Sequence, residues 1–339
     1  MEKFYKIMFY STLIISTLMT ISSYSWMIMW MGLEINLMSM IPLIQFYKNI
    51  YSIEASIKYF IVQVIASTII LMTIIVMMWK HSFSSSIMEN YSLLILNSSL
   101  FMKMGMAPFH IWFPEVIEGL SWTNCMIMLT WQKIAPMTMI MLNINYSVFF
   151  SSIIISSTLI SGIMIMNQTS MRKILAYSSI SHMGWMTATM MCMQTIWMWY
   201  FIIYTFTTIN IIALMKMNKI YFINQLHSLK WSNPLNKILY SLNFLSLGGI
   251  PPLPGFFPKW LTIQFMMQEN MTIISSMMII STLMTIYIYS MISISSMTMS
   301  LEEKLFKISF KNPSKMILSF LNFTTIFSLI LMTSMYTMT

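Results

Sequence analysis

The sequence predicts an all-α polytopic membrane protein, and three observations carry that reading. The 339 residues are 58% hydrophobic and only 8% charged, where a soluble domain carries about a quarter charged residues. Apolar runs of about 20 residues, enough for a helix to cross a bilayer, recur almost end to end. These runs are continuous, as in "IASTIILMTIIVMMW", whereas a transmembrane β-barrel alternates apolar and polar residues over short segments.

Composition narrows the class further. The formal charge is +9, but no Lys/Arg cluster interleaved with aromatics marks a nucleic-acid surface. Cys125 and Cys192 both fall inside apolar runs, so neither a disulfide framework nor metal-type spacing is available. There are 44 Met, 8 Gly, a single arginine (Arg172) and no Asp. That usage fits an AT-rich genome whose code reads extra codons as Met, as in arthropod-type mitochondria. The methionine excess is therefore coding bias and not a metal site.

Splitting the chain at polar and Pro/Gly punctuation gives about 11 spans. They run over 4–21, 25–45, 55–78, 91–117, 123–142, 147–166, 173–192, 195–215, 238–268, 272–297 and 316–336. The basic start and apolar run of 4–21 also suit a signal peptide. No small-residue cleavage site follows, so the segment reads as the first membrane helix. The spans sort the basic residues. Fourteen, from Lys3 to Lys315, fall on the N-terminal side and only Lys80 on the other, while Lys103, Lys133 and Lys259 lie inside spans. Basic loops mark the side that is not translocated. An odd count puts the N-terminus on that side, the matrix in a mitochondrion, and the C-terminus opposite, facing the intermembrane space.

The spans 91–117 and 238–268 are too long for one simple crossing, and both contain prolines. "GMAPFHIWFPEV" from Gly105 and "GIPPLPGFFPKW" from Gly249 lie 144 residues apart and align Gly105 with Gly249, Pro108 with Pro252, Phe113 with Phe257 and Pro114 with Pro258. The two copies sit an odd number of crossings apart and so face opposite ways. Pro/Gly-interrupted segments paired in two inverted halves point to an ion site near mid-membrane. Proline removes a backbone donor, and the freed carbonyls must be met by neighbouring helices, side chains or water.

An ionisable side chain near the bilayer centre costs about 2.5–3.5 kcal/mol even on the lenient insertion scale. Glu34, Lys103, Lys133 and Lys259 incur that cost. Snorkelling of the amine to the interface is the alternative. It fits Lys58 and Lys216 near span ends and fits Lys103 and Lys133 poorly. Lys259, nearer its span end, is open to either reading. A dry surrounding disfavours the ammonium form and a nearby carboxylate favours it, so a buried lysine beside a glutamate can be tipped by a change in neighbouring charge. His182, mid-span, suits either a proton relay or helix packing. His110 lies in the first Pro-broken segment, where it is a candidate to line the same hydrated space. Glu115 and Glu118 read as solvated interface residues, and Glu54 with Lys58 as an i,i+4 surface pair. Ser/Thr-rich faces such as "SSIIISSTLISG" read as helix-packing positions. No phosphate loop, dinucleotide fingerprint or metal-ligand spacing is present.

The stretches "WMGLEINLMSMIPL", "EASIKYFIVQVIAS", "KMGMAPFHIWFPEV", "WQKIAP", "NQTSMRKILAYSSISHMGW" and "LNFLSLGGIPPLPGFFPKW" occur in this order. In content and order the chain resembles the chain 2 family of mitochondrial NADH–ubiquinone oxidoreductase (respiratory complex I), of arthropod-like type. The resemblance covers nearly the whole chain, although the loop near 217–237 and the C-terminal span lack its motifs. It implies an antiporter-like, proton-translocating membrane-arm subunit built of two inverted five-helix repeats, about 1–142 and 147–298, each with one discontinuous helix, and a final helix at 316–336. By the same resemblance Glu34 is the partner of Lys103, Lys133 the central relay lysine and Lys259 the terminal lysine of the second broken helix. NADH, FMN, iron–sulfur clusters and ubiquinone are then bound by other subunits, and this chain carries no cofactor or metal. Its implied partners are neighbouring antiporter-like subunits and membrane lipids of the mitochondrial inner membrane. The alternatives are a subunit of a cation/proton antiporter, which shares this fold and these charges, and a purely structural scaffold.

Overall fold

The computed structural model describes residues 2–45, 49–80, 86–144, 147–228, 234–251 and 253–297. The span at 316–336 and several of the sorted lysines, including Lys48, Lys230 and Lys304, lie outside the described residues. The described chain falls into two compact units, one ending at Ile153 and the other beginning at Ile154. Among the described residues no strand forms, and one isolated bridge joins Ser170 to Phe222.

The first unit holds α1 (Glu2–Ser22), α2 (Trp26–Gln45), α3 (Ile50–Lys80), α4 (Ser86–Met104), α5 (Trp112–Gly119), α6 (Trp122–Leu129), a 3-10 turn (Trp131–Lys133) and α7 (Ile134–Met141), and α8 (Ser147–Met166) begins at its end. The second unit continues α8 and adds α9 (Met171–Cys192), α10 (Gln194–Asn218), α11 (Ile223–Ser228), α12 (Pro234–Gly248), α13 (Phe256–Gln268) and α14 (Thr272–Met297). Six of these helices, α1, α2, α3, α8, α10 and α14, are long and apolar enough to cross a membrane, so the chain is a multi-pass membrane protein. The other spans expected within the described residues fall on broken helices or on the Ser/Thr-rich α9. The loop expected near 217–237 contains the short helix α11, pinned where Gln225 Oε1 accepts the Tyr221 amide at 2.7 Å.

Helices pack closely where small residues face each other. Gly119 of α5 lies so near α3 that a Cβ there would stand 2.6 Å from the Tyr51 carbonyl. The Ser and Thr hydroxyls mostly donate within their own helix. On α9, Ser178, Ser179, Thr187 and Thr189 each donate to the carbonyl three residues back at 2.6–2.9 Å. These side chains therefore bring small size to the interfaces while keeping their own polar groups satisfied.

The two over-long spans break in the same way. After α4, Gly105 takes a φ of 71°, its amide donates to Met102 O at 3.2 Å and Met106 N donates to Phe101 O at 3.1 Å. After α12, Gly249 takes a φ of 81°, its amide donates to Ser246 O at 3.1 Å and Ile250 N donates to Leu245 O at 3.4 Å. This pair of bonds is the Schellman closure of a helix C-terminus, and every position in it recurs at the 144-residue offset of the sequence repeat, with the glycine itself retained. Pro114 and Pro258 then stand third in α5 and α13, where the missing amide has no intrahelical partner to lose.

A third break, unexpected from the sequence, falls inside the span 123–142. The helix stops at Leu129 and resumes at Ile134, with the 3-10 turn ending on Lys133 between them. Pro136, third in α7, cannot donate to the Gln132 carbonyl, which is the physical cause of the interruption.

A non-glycine residue in the left-handed region costs about 1–2 kcal/mol. At Gly105 a Cβ would also stand 2.7 Å from the Phe113 Cβ. Gly105→Ala is therefore expected to destabilise the protein by at least that amount, read as a lower thermal denaturation midpoint of the detergent-solubilised protein. An unchanged midpoint would show that the break tolerates a side chain.

Candidate functional site

The first unit brings Lys103 and Lys133 to one cavity, each from a helix break. Lys103 lies in the last turn of α4, where helix carbonyl ends favour a cation. Lys133, only 1% exposed, ends the 3-10 turn. The cavity wall includes Asn36, Gln63, Lys103, Phe113, Gln132 and Lys133. It leaves about 30 Å³ for the centres of water-sized spheres, room for about two waters. The Lys133 amine stands 5.6 Å from the centre of the Phe113 ring, close enough for a cation–π contact.

Amides hold both lysine-bearing segments. Gln63 Nε2 of α3 donates to the carbonyl of Lys103 itself at 3.0 Å, satisfying one of the carbonyls left open where α4 ends. Gln132 Nε2 donates to Asn36 Oδ1 of α2 at 2.8 Å. The Trp112 indole donates to Met102 O at 3.2 Å and ties α5 back to α4. Glu34, half-buried on α2, lies outside the cavity wall. Its charge acts on Lys103 through space, and among the described residues the two form no direct ion pair.

Lys259 in the second unit stands in the first turn of α13 and reaches back across its break. Its amine donates to the Gly248 carbonyl at 2.7 Å, 5.9 Å from the centre of the Trp185 ring. A Cβ on Gly249 would stand 3.0 Å from its Cδ. The lysine is thus seated on the carbonyl end of α12. At the 144-residue offset Lys103 aligns with Leu247 and Lys259 with Glu115, so the two lysines come from opposite sides of their breaks.

The remaining sequence candidates separate. His182 is buried on α9, its Nδ1 3.0 Å from the Tyr200 hydroxyl and its ring centre 5.2 Å from that of Tyr204. His110 is buried in the break between α4 and α5 but is not part of the cavity wall. Lys58 bonds Glu54 at 2.9 Å, the i,i+4 pair expected, and also Glu115 at 2.7 Å, which was not. The sequence reading also missed Asn36, Gln63, Gln132 and Tyr200. Gln63 stands alone in an apolar run, in "VQV", while Asn36 and Gln132 accompany a charged residue, in "EIN" and "WQK", and polar amides within long apolar runs were the available signal. Among the described residues no three His, Cys, Asp or Glu side chains stand together to hold a metal.

Residues 23–285 match the family described as NADH:quinone oxidoreductase/Mrp antiporter, transmembrane. The chain is 42% identical to NADH-ubiquinone oxidoreductase chain 2 of Anopheles gambiae, over 99% of both chains. Its fold is similar to a chain of respiratory complex I from Thermus thermophilus, with a TM-score of 0.83, 20% identity and coverage of 97% of this chain and 77% of the other. It is also similar to a chain of the Mrp complex from Dietzia, with a TM-score of 0.74, 15% identity and coverage of 86% of this chain and 60% of the other.

Lys259→Met leaves the Gly248 carbonyl without the amine, an expected loss of about 1–3 kcal/mol. Lys103→Met removes a buried amine that makes no hydrogen bond or ion pair among the described residues, and replacing such a group by an apolar one is close to neutral. Thermal denaturation of the two variants checks the order. Equal midpoints would argue against the Lys259–Gly248 bond as a stabilising contact.

Proposed function

From the premise that the chain belongs to the NADH:quinone oxidoreductase/Mrp antiporter transmembrane family, we propose that it is a proton-translocating membrane subunit of NADH:ubiquinone oxidoreductase. It acts as part of an enzyme whose electron transfer takes place on other subunits, where NADH, FMN, iron–sulfur clusters and ubiquinone are bound. The observation that carries the reading is the pair of buried lysines, Lys103 and Lys133, on two helix breaks around one small cavity that also presents the Asn36, Gln63 and Gln132 amides.

A charge change in a neighbouring subunit alters the field of Glu34 on Lys103. Lys103 then exchanges a proton with Lys133 across the cavity, where waters bridge the gap between the amines. Lys259 is the corresponding proton-handling lysine of the second unit, and His182 and His110 are secondary candidates. About 11 crossings in two inverted repeats, 1–142 and 147–298, with a final helix at 316–336, complete the proposed topology. The N-terminus faces the matrix and the C-terminus the intermembrane space of the mitochondrial inner membrane. Neighbouring antiporter-like subunits and membrane lipids are the proposed partners.

The second reading is a subunit of a cation/proton antiporter, supported by the fold shared with the Mrp complex. A native gel of mildly solubilised membranes separates the two. Comigration with a very large NADH-oxidising band supports the first, and a small particle without NADH oxidation supports the second.

Positioned proton transfer contributes about 10²–10⁴-fold to a rate. Lys103→Met and Lys133→Met are therefore each expected to lower proton-coupled NADH:ubiquinone turnover by about 10²-fold or more, measured as the rate of ubiquinone-dependent NADH oxidation with its accompanying proton uptake in the assembled complex. Full pumping in either variant would overturn the assignment.

A further inference from the structure

We infer that Asn36 is a positioning residue for Lys133, acting through its hydrogen bond to Gln132. The inference rests on the proton-transfer reading above and adds a residue that the charged set does not contain.

Lys133 ends a single 3-10 turn between two helix segments. The Lys133 amide reaches Thr130 O at 3.4 Å, beyond the usual range for such a bond. Pro136 removes the amide that would have bound Gln132 O. The side-chain bond from Gln132 Nε2 to Asn36 Oδ1 at 2.8 Å is well inside that range. It ties the residue next to Lys133 to an unbroken part of α2, and Asn36 is only 3% exposed. The turn is also held by the Ile134 amide on Trp131 O and by the Thr130 hydroxyl on Met126 O at 2.7 Å, and of these bonds the one from Gln132 to Asn36 ties it to another helix.

The position matters because the lysine has little room. Its amine must stay over the Phe113 ring and on the wall of a cavity with space for about two waters. A rotation of the turn would swing the amine away from both. Asn36 and Gln132 also line that cavity. Neutral amides offer donors and acceptors to water without adding a competing charge.

Helix geometry explains why Asn36, and not the charged Glu34, has this place. At 3.6 residues per turn, positions two apart point about 200° from each other. Glu34 accordingly lies outside the cavity wall while Asn36 forms part of it. One helix thus carries the carboxylate that acts on Lys103 and the amide that holds the Lys133 turn.

The test uses Asn36→Leu, Gln132→Met and the double variant in the assembled complex, with Lys133→Met alongside. A misplacement of about 1 Å costs about 10²-fold in well-oriented chemistry, so the rate of proton-coupled NADH:ubiquinone turnover should fall about tenfold or more. The KM values for NADH and ubiquinone should stay unchanged. The double variant should be no worse than either single one, because both remove the same bond. Full pumping in either single variant, or losses that multiply in the double, would overturn the positioning role. So would failure of both single variants to assemble on a native gel, which would make the amide pair a folding element. Full pumping in Lys133→Met would instead remove the proton-transfer reading on which the inference rests.

Discussion

A bilayer core offers no water to a loose backbone group, and the functional geometry of this protein follows from how it meets that constraint at its helix breaks. A helix that ends mid-membrane leaves its last carbonyls without partners. At the first break, Phe101 and Met102 are met by amides folding back over Gly105, Met102 also by the Trp112 indole, and Lys103 by Gln63. At the second, Leu245 and Ser246 are met by the same backbone closure and Gly248 by the Lys259 amine. The side chains that satisfy the backbone therefore belong to the site or lie against it. Removing the polar groups would leave carbonyls stranded, and removing the breaks would leave the polar groups with nothing to bind.

The same constraint explains why cations occupy these places. Carbonyl ends of helices concentrate partial negative charge. Lys103 lies in the last turn of α4, and Lys259 reaches back from α13 to the last residue of α12. The two start on opposite sides of their breaks, and each lies beside the carbonyl end of a half-helix, although only the Lys259 amine bonds a carbonyl there. A carboxylate there would face the negative end of the helix. Glu34 avoids that conflict by standing on the unbroken helix α2, where it influences Lys103 through space.

Much of this was legible in the sequence because the costs are local. A lysine in an apolar run and a Pro/Gly cluster in an over-long one stand out without any knowledge of neighbours. Lys103, Lys133 and the breaks after Met104 and Gly248 were legible in that way, whereas Lys259, near its span end, was open to either reading without the family resemblance. Pairings made across the fold were not. Lys58 has a carboxylate at i−4 in Glu54, and its second partner, Glu115, lies 57 residues away. Gln132 and Asn36 are 96 residues apart, and nothing in either run states that they meet. The turn at Lys133 was missed for a different reason. Pro136 alone was consistent with an ordinary kink, and only the fold shows that the helix stops and restarts.

The two kinds of lysine site differ in what must happen before a proton moves. Proton exchange at an amine requires a change of hydrogen-bond partner. At Lys259 that means giving up a 2.7 Å bond to the Gly248 carbonyl, and leaving a buried acceptor unmet costs about 1–3 kcal/mol. The carbonyl would be left in a buried site where water does not readily replace the amine. Lys103 has no such bond to break among the described residues, and its cavity has space for the water that would take the proton. On the proposed reading the first unit is thus arranged for exchange. On the same reading Lys259 exchanges only when another donor reaches Gly248 or another charge makes the exchange favourable. The difference arises from which side of the break supplies the lysine: one at the end of a half-helix faces the cavity, and one at the start of the next half-helix faces the carbonyls it must satisfy.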